Sequence, residues 1–357
     1  MVQNWAMRLF VLFLLVHLST NCFSQFQNEK SIQFFNHLYN FEFTTADSII
    51  STIDSAEQSS NYNFLTSHYL RWYYLPIHQQ NEEILSKYAT YLEATADLSI
   101  VDDKDYISIN RALLTSEYNY NQGNYYKAFQ NGSIIYDLLK QNLESEPEKA
   151  EIKFLASLYH YYYQYYKEVN PAIGAMIWFF KEGEKEIGLK WLEEVADQKS
   201  VVKTEALIYL SHIYLRLENN PKKAFQYAEK LHQLYPNNLK FYELLIECSF
   251  AKNIENDLIE VLIHKLSDSN NIYFKKYGEC YNAIYTAKYG GESQYEKKDR
   301  LEDALSYIKN NGGGNHLSSL LYQNLYLLTG DAEYLKQKNK VEPYKNVLTG
   351  YPEVHNN

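Results

Sequence analysis

TEALIYLSHIYLRLENNPKKAFQYAEKLHQLYPNN, residues 204–238, is the stretch that decides the fold. Leu207 and Leu210 lie on one helical stripe, which predicts a first amphipathic helix. Asn220 followed by Pro221 is typical of a helix start, because Asn accepts a backbone N–H and Pro needs no donor at the first helical position. The stretch therefore predicts two helices joined by a turn.

The second helix of this unit has a narrow apolar face. Ala224, Ala228 and Leu231 are predicted to be buried, and Pro236 ends the helix. On the first helix, the small Ser211 leaves room for the second helix to cross closely. This spacing, over a unit of 35 residues, resembles the tetratricopeptide repeat, whose period is about 34 residues. The resemblance implies stacked helix pairs whose first helices form a concave, partner-binding surface.

Similar stretches occur on both sides of this unit, most clearly in residues 105–142 and 171–310. Gly278 in FKKYGECY takes the small-residue position of a first helix. A single helix pair is too small to bury its own apolar face, so neighbouring pairs must complete one core. We therefore predict an all-α fold over residues 25–340, an α-solenoid of about seven to eight stacked helix-turn-helix hairpins of the tetratricopeptide type.

Two regions of this array are predicted to be irregular. A helix from Glu148 to about Val169 has no obvious partner, and residues 171–197, turned at Gly183, are interpreted as the next repeat. The long stretch YGGESQYEKKDR, residues 289–300, is predicted to be a loop before a helix that starts at Leu301. The glycines of NGGGN predict a flexible joint.

The two ends of the chain are set apart from the array. Residues 1–24 carry Arg8, a short apolar run and small residues near Ser24, which predicts a secretory signal peptide cleaved near Ser24. The run is shorter than the roughly 20 residues of a membrane span, although an uncleaved anchor or a lipid-modified Cys22 are alternatives. Residues 341–357 are predicted to be a flexible tail.

Charge and cysteine content narrow the class of protein. Loss of Arg8 with the signal changes the net charge from -10 to -11, which argues against a nucleic-acid partner. Cys248 and Cys280 lie about one repeat apart, too far for a disulfide if the repeats stack, so both are predicted to be buried thiols. Few cysteines and the shape of the signal favour a bacterial periplasm or cell surface.

The densest aromatic segment is LASLYHYYYQYYKEV, residues 155–169. Because the chain contains 36 Tyr, packing within the core is the plainer interpretation of this segment. The alternative is that Tyr159, Tyr163 and Tyr166 line a partner-binding groove, since Tyr is enriched at interfaces.

His212 and Arg216 are offset from the apolar stripe of the defining unit. In the repeat family, that side of the first helix lines the concave surface, so the resemblance implies that both side chains are available to a partner. A plain solvated helix face is the competing interpretation. Ile208 on the same side departs from the basic residue of repeats that clamp a C-terminal carboxylate, which argues against that mode of binding.

Motifs for catalysis are absent from the sequence. It contains no phosphate loop, Cys-x-x-Cys, His-Glu-x-x-His or Gly-x-Ser-x-Gly, so we expect no catalytic residue, cofactor or metal. We predict a non-catalytic scaffold for a protein or peptide partner, within an envelope complex. A glycan- or nutrient-binding surface protein is the alternative, and a helical hydrolase with a pocket near His160, Tyr162 and Tyr163 is a third.

Overall fold

The structure is a computed structural model in which seven stretches of the chain are described. The described residues are 29–52, 60–77, 82–94, 106–121, 124–169, 177–311 and 315–341. The predicted signal segment, nearly all of the predicted tail and the three glycines of NGGGN lie outside them.

Within the described residues, the chain forms 16 α-helices and no strand. In chain order they are α1 (Glu29–Tyr39), α2 (Phe43–Ser51), α3 (Ser60–Ile77), α4 (Glu82–Ala94), α5 (Tyr106–Asn121), α6 (Tyr125–Leu139), α7 (Ala150–Val169), α8 (Lys185–Asp197), α9 (Lys203–His212), α10 (Pro221–Leu234), α11 (Leu239–Lys252), α12 (Asp257–Ser267), α13 (Ile272–Tyr289), α14 (Gln294–Asn310), α15 (Asn315–Thr329) and α16 (Ala332–Lys340). Each helix packs against the next, so the helices pair into eight hairpins. The predicted all-α solenoid is thus confirmed. We call the odd-numbered helices the first helices.

The defining unit folds as its sequence predicts. Asn220 caps α10 by accepting a hydrogen bond from the backbone N–H of Lys223 at 3.2 Å, and Pro221 is the first helical residue. Ala224, Ala228 and Leu231 are 0% exposed. A π-helical turn, Ile213–Leu217, extends α9 and was not predicted. A π-helical turn takes up one residue more than an α-helical turn does.

The long helix α7 pairs with α8, which corrects the predicted repeat at residues 171–197. A Cβ built on Gly188 would lie 2.6 Å from both the carbonyl oxygen of Ser157 and the nitrogen of Tyr161, so only glycine allows this close crossing. Residues 170–176 lie outside the described stretches, and the chain turns at Trp178–Phe180. Gly188 therefore lies at the crossing of α7 and α8, two helices that are joined by an unusually long segment of chain.

The loop predicted at residues 289–300 is also corrected. Helix α14 begins seven residues earlier than Leu301, because Ser293 and Glu296 form a reciprocal capping box at its start. The polar composition of this stretch reflects an exposed helical turn. Gly278 allows a close approach, but by the preceding helix and not by its own second helix: its Cβ would lie 2.2 Å from the backbone nitrogen of Ser267 at the end of α12.

The N-terminal hairpins also touch helices that are far away in sequence. Trp72 of α3 lies 5.9 Å from Phe241 of α11, and Phe41 lies 6.2 Å from Phe274 of α13, between ring centroids. Asn238 donates a hydrogen bond to the carbonyl oxygen of Tyr39 at 2.7 Å. The array therefore coils tightly enough for its beginning to cover part of its later first helices.

One apolar cluster runs from α1 to α15 and holds these contacts together. Cys248 and Cys280 belong to it as buried free thiols, as predicted. Across the stretches described above, no helix has both the length and the apolar character needed to cross a bilayer.

Candidate functional site

The first helices α9 and α11 each carry a stripe of polar side chains, most of which are buried. On α9 this stripe contains Glu205, His212 and Arg216. On α11 it contains Glu243 and Glu247, at the same one-turn spacing. The two stripes meet, because Arg216 at the end of the first and Glu247 of the second form an ion pair at 3.0 Å.

The first group of polar residues lies where the N-terminal hairpins meet α9. We call it the N-terminal cluster, and it consists of Tyr39, Arg71, Glu117 and Glu205. Arg71 binds both oxygens of Glu117, with Nε–Oε1 at 3.2 Å and Nη2–Oε2 at 3.3 Å. Its Nη1 donates to Glu205 at 3.1 Å, and the Tyr39 hydroxyl donates to the same oxygen at 2.9 Å.

This cluster is closed to solvent. The side chains of Arg71, Glu117 and Glu205 are 6%, 2% and 8% exposed. They come from α3, α5 and α9, so the ion pairs tie together three first helices that are distant in sequence. A buried guanidinium shared by two carboxylates is well paired, which offsets much of its desolvation cost.

His68 lies beside the N-terminal cluster, with Nε2 at 3.0 Å from Oδ1 of Asn110. Burial, with a smaller contribution from the charge of Arg71, lowers the pKa of His68 to about 4 against the opposing effect of Glu205. The imidazole is therefore neutral at physiological pH.

The second group lies on α9, α11, α13 and α15. We call it the C-terminal cluster, and it is centred on Glu247 and contains Arg216, Lys240, Glu243, Tyr273, Tyr281 and His316. One oxygen of Glu247 accepts from the Tyr281 hydroxyl at 2.6 Å and lies 2.7 Å from Nε2 of His316. The other accepts from Arg216 at 3.0 Å.

The two carboxyl groups on α11 have opposite pKa shifts. Burial would raise the pKa of Glu247, but the charges of His316 and Arg216 and their hydrogen bonds hold it well below its usual range. Burial raises the pKa of Glu243 to about 7, against the opposing effect of Lys240. The pair therefore holds one firmly ionised carboxylate beside one that titrates near neutral pH.

Unlike the N-terminal cluster, the C-terminal cluster retains contact with solvent. The side chains of Arg216, His316 and Lys240 are 19%, 16% and 12% exposed. Tyr277 is half-buried and lies beside them, with its ring 5.2 Å from Nζ of Lys240. Two cations and an aromatic ring are thus accessible around a fixed carboxylate, an arrangement able to bind a polar ligand.

The structure brings only part of the predicted site together. Arg216 belongs to the C-terminal cluster. His212 is 4% exposed, so it neither lies on a solvated helix face nor is available to a partner as predicted. Burial and the charge of Arg216 hold the pKa of His212 well below its usual range. The packing of other first helices against the α9 stripe could not be predicted from α9 alone.

The three predicted tyrosines lie on α7, apart from both clusters. Tyr163 is buried, while Tyr159 and Tyr166 are half-buried. The Tyr159 hydroxyl donates to the carbonyl oxygen of Lys181 at 2.6 Å, and the Tyr166 ring stacks on Tyr162. Tyr159 therefore holds the backbone at Lys181, and Tyr163 lies directly against Gly183.

The pocket suggested for a hydrolase is filled by neighbouring side chains. The rings of His160 and Trp191 are 5.0 Å apart, and Nδ1 of His160 accepts from the backbone N–H of Glu184 at 3.1 Å. An open cleft of about 490 Å³ between α13 and α14 contains Glu279, Asp299 and Asp303. Among the described residues, no group of three or more His, Cys, Asp or Glu is arranged to hold a metal.

Sequence reasoning missed Arg71, Glu117, Glu243, Glu247 and His316. The signal available in the sequence was that each of these charged or polar residues lies on a first helix. Comparison of the chain with protein-family models, curated proteins and solved structures gives no match.

Proposed function

We propose that this protein is an exported, non-catalytic member of the tetratricopeptide repeat type that binds a protein or peptide partner on its first helices. The repeat assignment is supported by the cap at Asn220, the buried Ala224 and Ala228, and the close crossing at Gly278. Export, to the periplasm or cell surface of a bacterium, is supported by the signal-like residues 1–24.

The C-terminal cluster is the observation that carries the binding proposal. Four successive first helices contribute side chains to it, and Arg216, Lys240 and His316 retain solvent contact. Side chains from several repeats read a ligand along its length, which suits an extended peptide. The accessible cations favour an acidic group on that peptide, with Tyr277 as an apolar neighbour.

The N-terminal cluster limits where this peptide binds. Arg71, Glu117 and Glu205 satisfy one another and are buried, so they offer no donor to a ligand. The proposed binding surface is therefore restricted to α9, α11, α13 and α15, the last four first helices.

Peptide display tests the proposal with defined probes. Random peptides selected on the immobilised protein should share an acidic position, and His316→Ala should weaken a synthetic selected peptide by about tenfold or more. His264 provides the matched control: it is an exposed histidine on α12, the second helix of a hairpin, so His264→Ala should leave the affinity unchanged.

Two results would contradict peptide binding. Selection of no peptide above background would remove its basis. Binding of a glycan on an array, lost in Tyr277→Ala, would favour the alternative of glycan or nutrient capture, in which tyrosine rings stack on sugars.

A further inference from the structure

A second surface is formed by residues 177–184, which we call the aromatic loop. At its tip, Trp178 is 76% exposed and Phe179 is 59% exposed. Large aromatic side chains side by side in solvent are costly unless a partner covers them, and Trp is the residue most enriched among interface anchors. None of the residues of the C-terminal cluster belongs to this loop.

The base of the loop is fixed on the side that follows the tip. The Phe180 ring lies 4.3 Å from the Tyr136 ring of α6. The backbone of Lys181 is held from both sides: its N–H donates to the Tyr136 hydroxyl at 3.1 Å, and its carbonyl oxygen accepts from the Tyr159 hydroxyl at 2.6 Å. The loop therefore turns Phe180 inward while its two preceding aromatic residues stay outside.

The backbone of Gly183, Glu184 and Lys185 is fixed as well. A Cβ built on Gly183 would lie 2.9 Å from Cα of His160, so the loop backbone rests directly on α7. The backbone N–H groups of Glu184 and Lys185 donate to His160 at 3.1 Å and to Gln164 at 2.7 Å. A braced backbone lowers the entropy cost of presenting an anchor to a partner.

Charge around the loop decides between possible partners. Lys181 pairs with Glu144 at 2.6 Å, and Lys167 pairs with Glu182 at 2.7 Å, so these cations are neutralised. Glu184 and Glu186 are exposed and add negative charge without an ion-pair partner in the described stretches. This surplus of negative charge would repel an anionic lipid surface, whereas it would attract a protein pocket with a basic rim.

From this geometry we propose that the aromatic loop docks into an apolar, Lys- or Arg-rimmed pocket of a protein partner, with Trp178 and Phe179 as its anchors. This interface is separate from the proposed peptide-binding surface. It gives the protein two binding faces, as expected of a scaffold that bridges components of a complex.

Site-specific photo-crosslinking in native cells tests the proposal. Phe179→p-benzoylphenylalanine should yield one dominant protein adduct that maps to apolar residues flanked by Lys or Arg. Tyr295, an aromatic residue of α14 that is 72% exposed, provides the matched control, and Tyr295→p-benzoylphenylalanine should not yield that adduct.

The purified partner then permits a quantitative measurement. In the mature protein, which lacks Trp5 of the predicted signal segment, partner binding should protect Trp178 from iodide quenching. Trp178→Phe should remove this signal, since Trp72 and Trp191 are already buried. Trp178→Ala should weaken binding by at least about tenfold, and Tyr295→Ala should change it less than about twofold. Circular dichroism of each variant establishes that the fold is kept.

Three outcomes would overturn the proposal. The first is the absence of a specific adduct at position 179. The second is a blue shift of Trp178 fluorescence on vesicles of phosphatidylethanolamine and phosphatidylglycerol, which identifies a membrane surface. The third is an adduct between two copies of this chain, which identifies a self-association surface. Each differs from failure of the peptide selection, which concerns His316.

Discussion

The N-terminal and C-terminal clusters use the same residue types on equivalent faces of first helices, yet they differ in access to water. Arg71 is sealed between Glu117 and Glu205 by hairpins distant in sequence, whereas Arg216 and His316 reach Glu247 from the edge of the array. The first arrangement ties the coil together, and the second leaves cations accessible. We infer that the curvature of the array, as well as the residue type, determines which polar stripe can bind a partner.

Removal of Arg71 should have the largest effect. In Arg71→Met, Glu117 and Glu205 lose the guanidinium that they share, so the free energy of unfolding should fall by about 3 to 5 kcal/mol. Urea denaturation measures this change. Arg300→Met removes an exposed pair with Glu292 and should cost less than about 1 kcal/mol. Equal losses of unfolding free energy in the two variants would mean that burial of Arg71 between two carboxylates adds no stability beyond that of an exposed ion pair.

Acid should weaken the N-terminal cluster through His68. Its folded pKa, about 4, lies below the usual 6.5, so stability present above pH 6.5 is lost as the pH falls toward 4. The loss should amount to about 3 kcal/mol, measured by urea denaturation across that range. His68→Gln should abolish this loss of stability between pH 6.5 and 4, whereas His264→Gln, at an exposed position, should not. An unchanged pH profile in His68→Gln would contradict the sealed environment.

Alkali should weaken the C-terminal cluster through Glu243. Its folded pKa, about 7, lies above the usual 4.5, so stability present below pH 4.5 is lost as the pH rises through 7. At pH 8, Glu243→Gln should therefore be about 3 kcal/mol more stable than the parent protein, with no gain at pH 4.5. Glu260→Gln, at an exposed site on α12, should show no such crossover. A pH-independent difference would exclude titration of Glu243 as the cause.

The smallest effect is expected at the open edge of the C-terminal cluster. His316→Ala should lower the free energy of unfolding by only about 1 kcal/mol, because Glu247 keeps its bonds from Arg216 and Tyr281. Thermal and urea unfolding measure this loss. A loss of stability as large as that of Arg71→Met would mean that His316 is structural. Weaker peptide binding by His316→Ala would then reflect unfolding and not the loss of a contact with the peptide.

Much of the fold was predictable from local sequence. The Asn-Pro start of α10 and its small buried residues are properties of one contiguous stretch, so they were predicted correctly. An error arose where the polar composition of a stretch was given more weight than its helix-capping residues. The polar residues before Leu301 were interpreted as a loop, although the Ser293 capping box makes them the first turns of a helix.

The candidate site was less predictable. Arg216 was identified from its place on the α9 stripe, but its partner Glu247 lies 31 residues away on the next first helix. Arg71 and Glu205 are 134 residues apart in the chain, and no spacing within one repeat relates them. The tyrosines of α7 were noticed for their density, whereas their role as a brace for the aromatic loop depends on contacts across the α7–α8 pair.

The sequence by itself determined that this protein consists of paired helices with apolar inner faces, because helical periodicity, caps and small residues act over a few turns. Only the tertiary structure decided which charges are sealed and which stay open, and that two aromatic residues remain outside. These outcomes depend on the coiling of the whole array, which accumulates from small rotations between repeats and brings together residues that the chain keeps far apart.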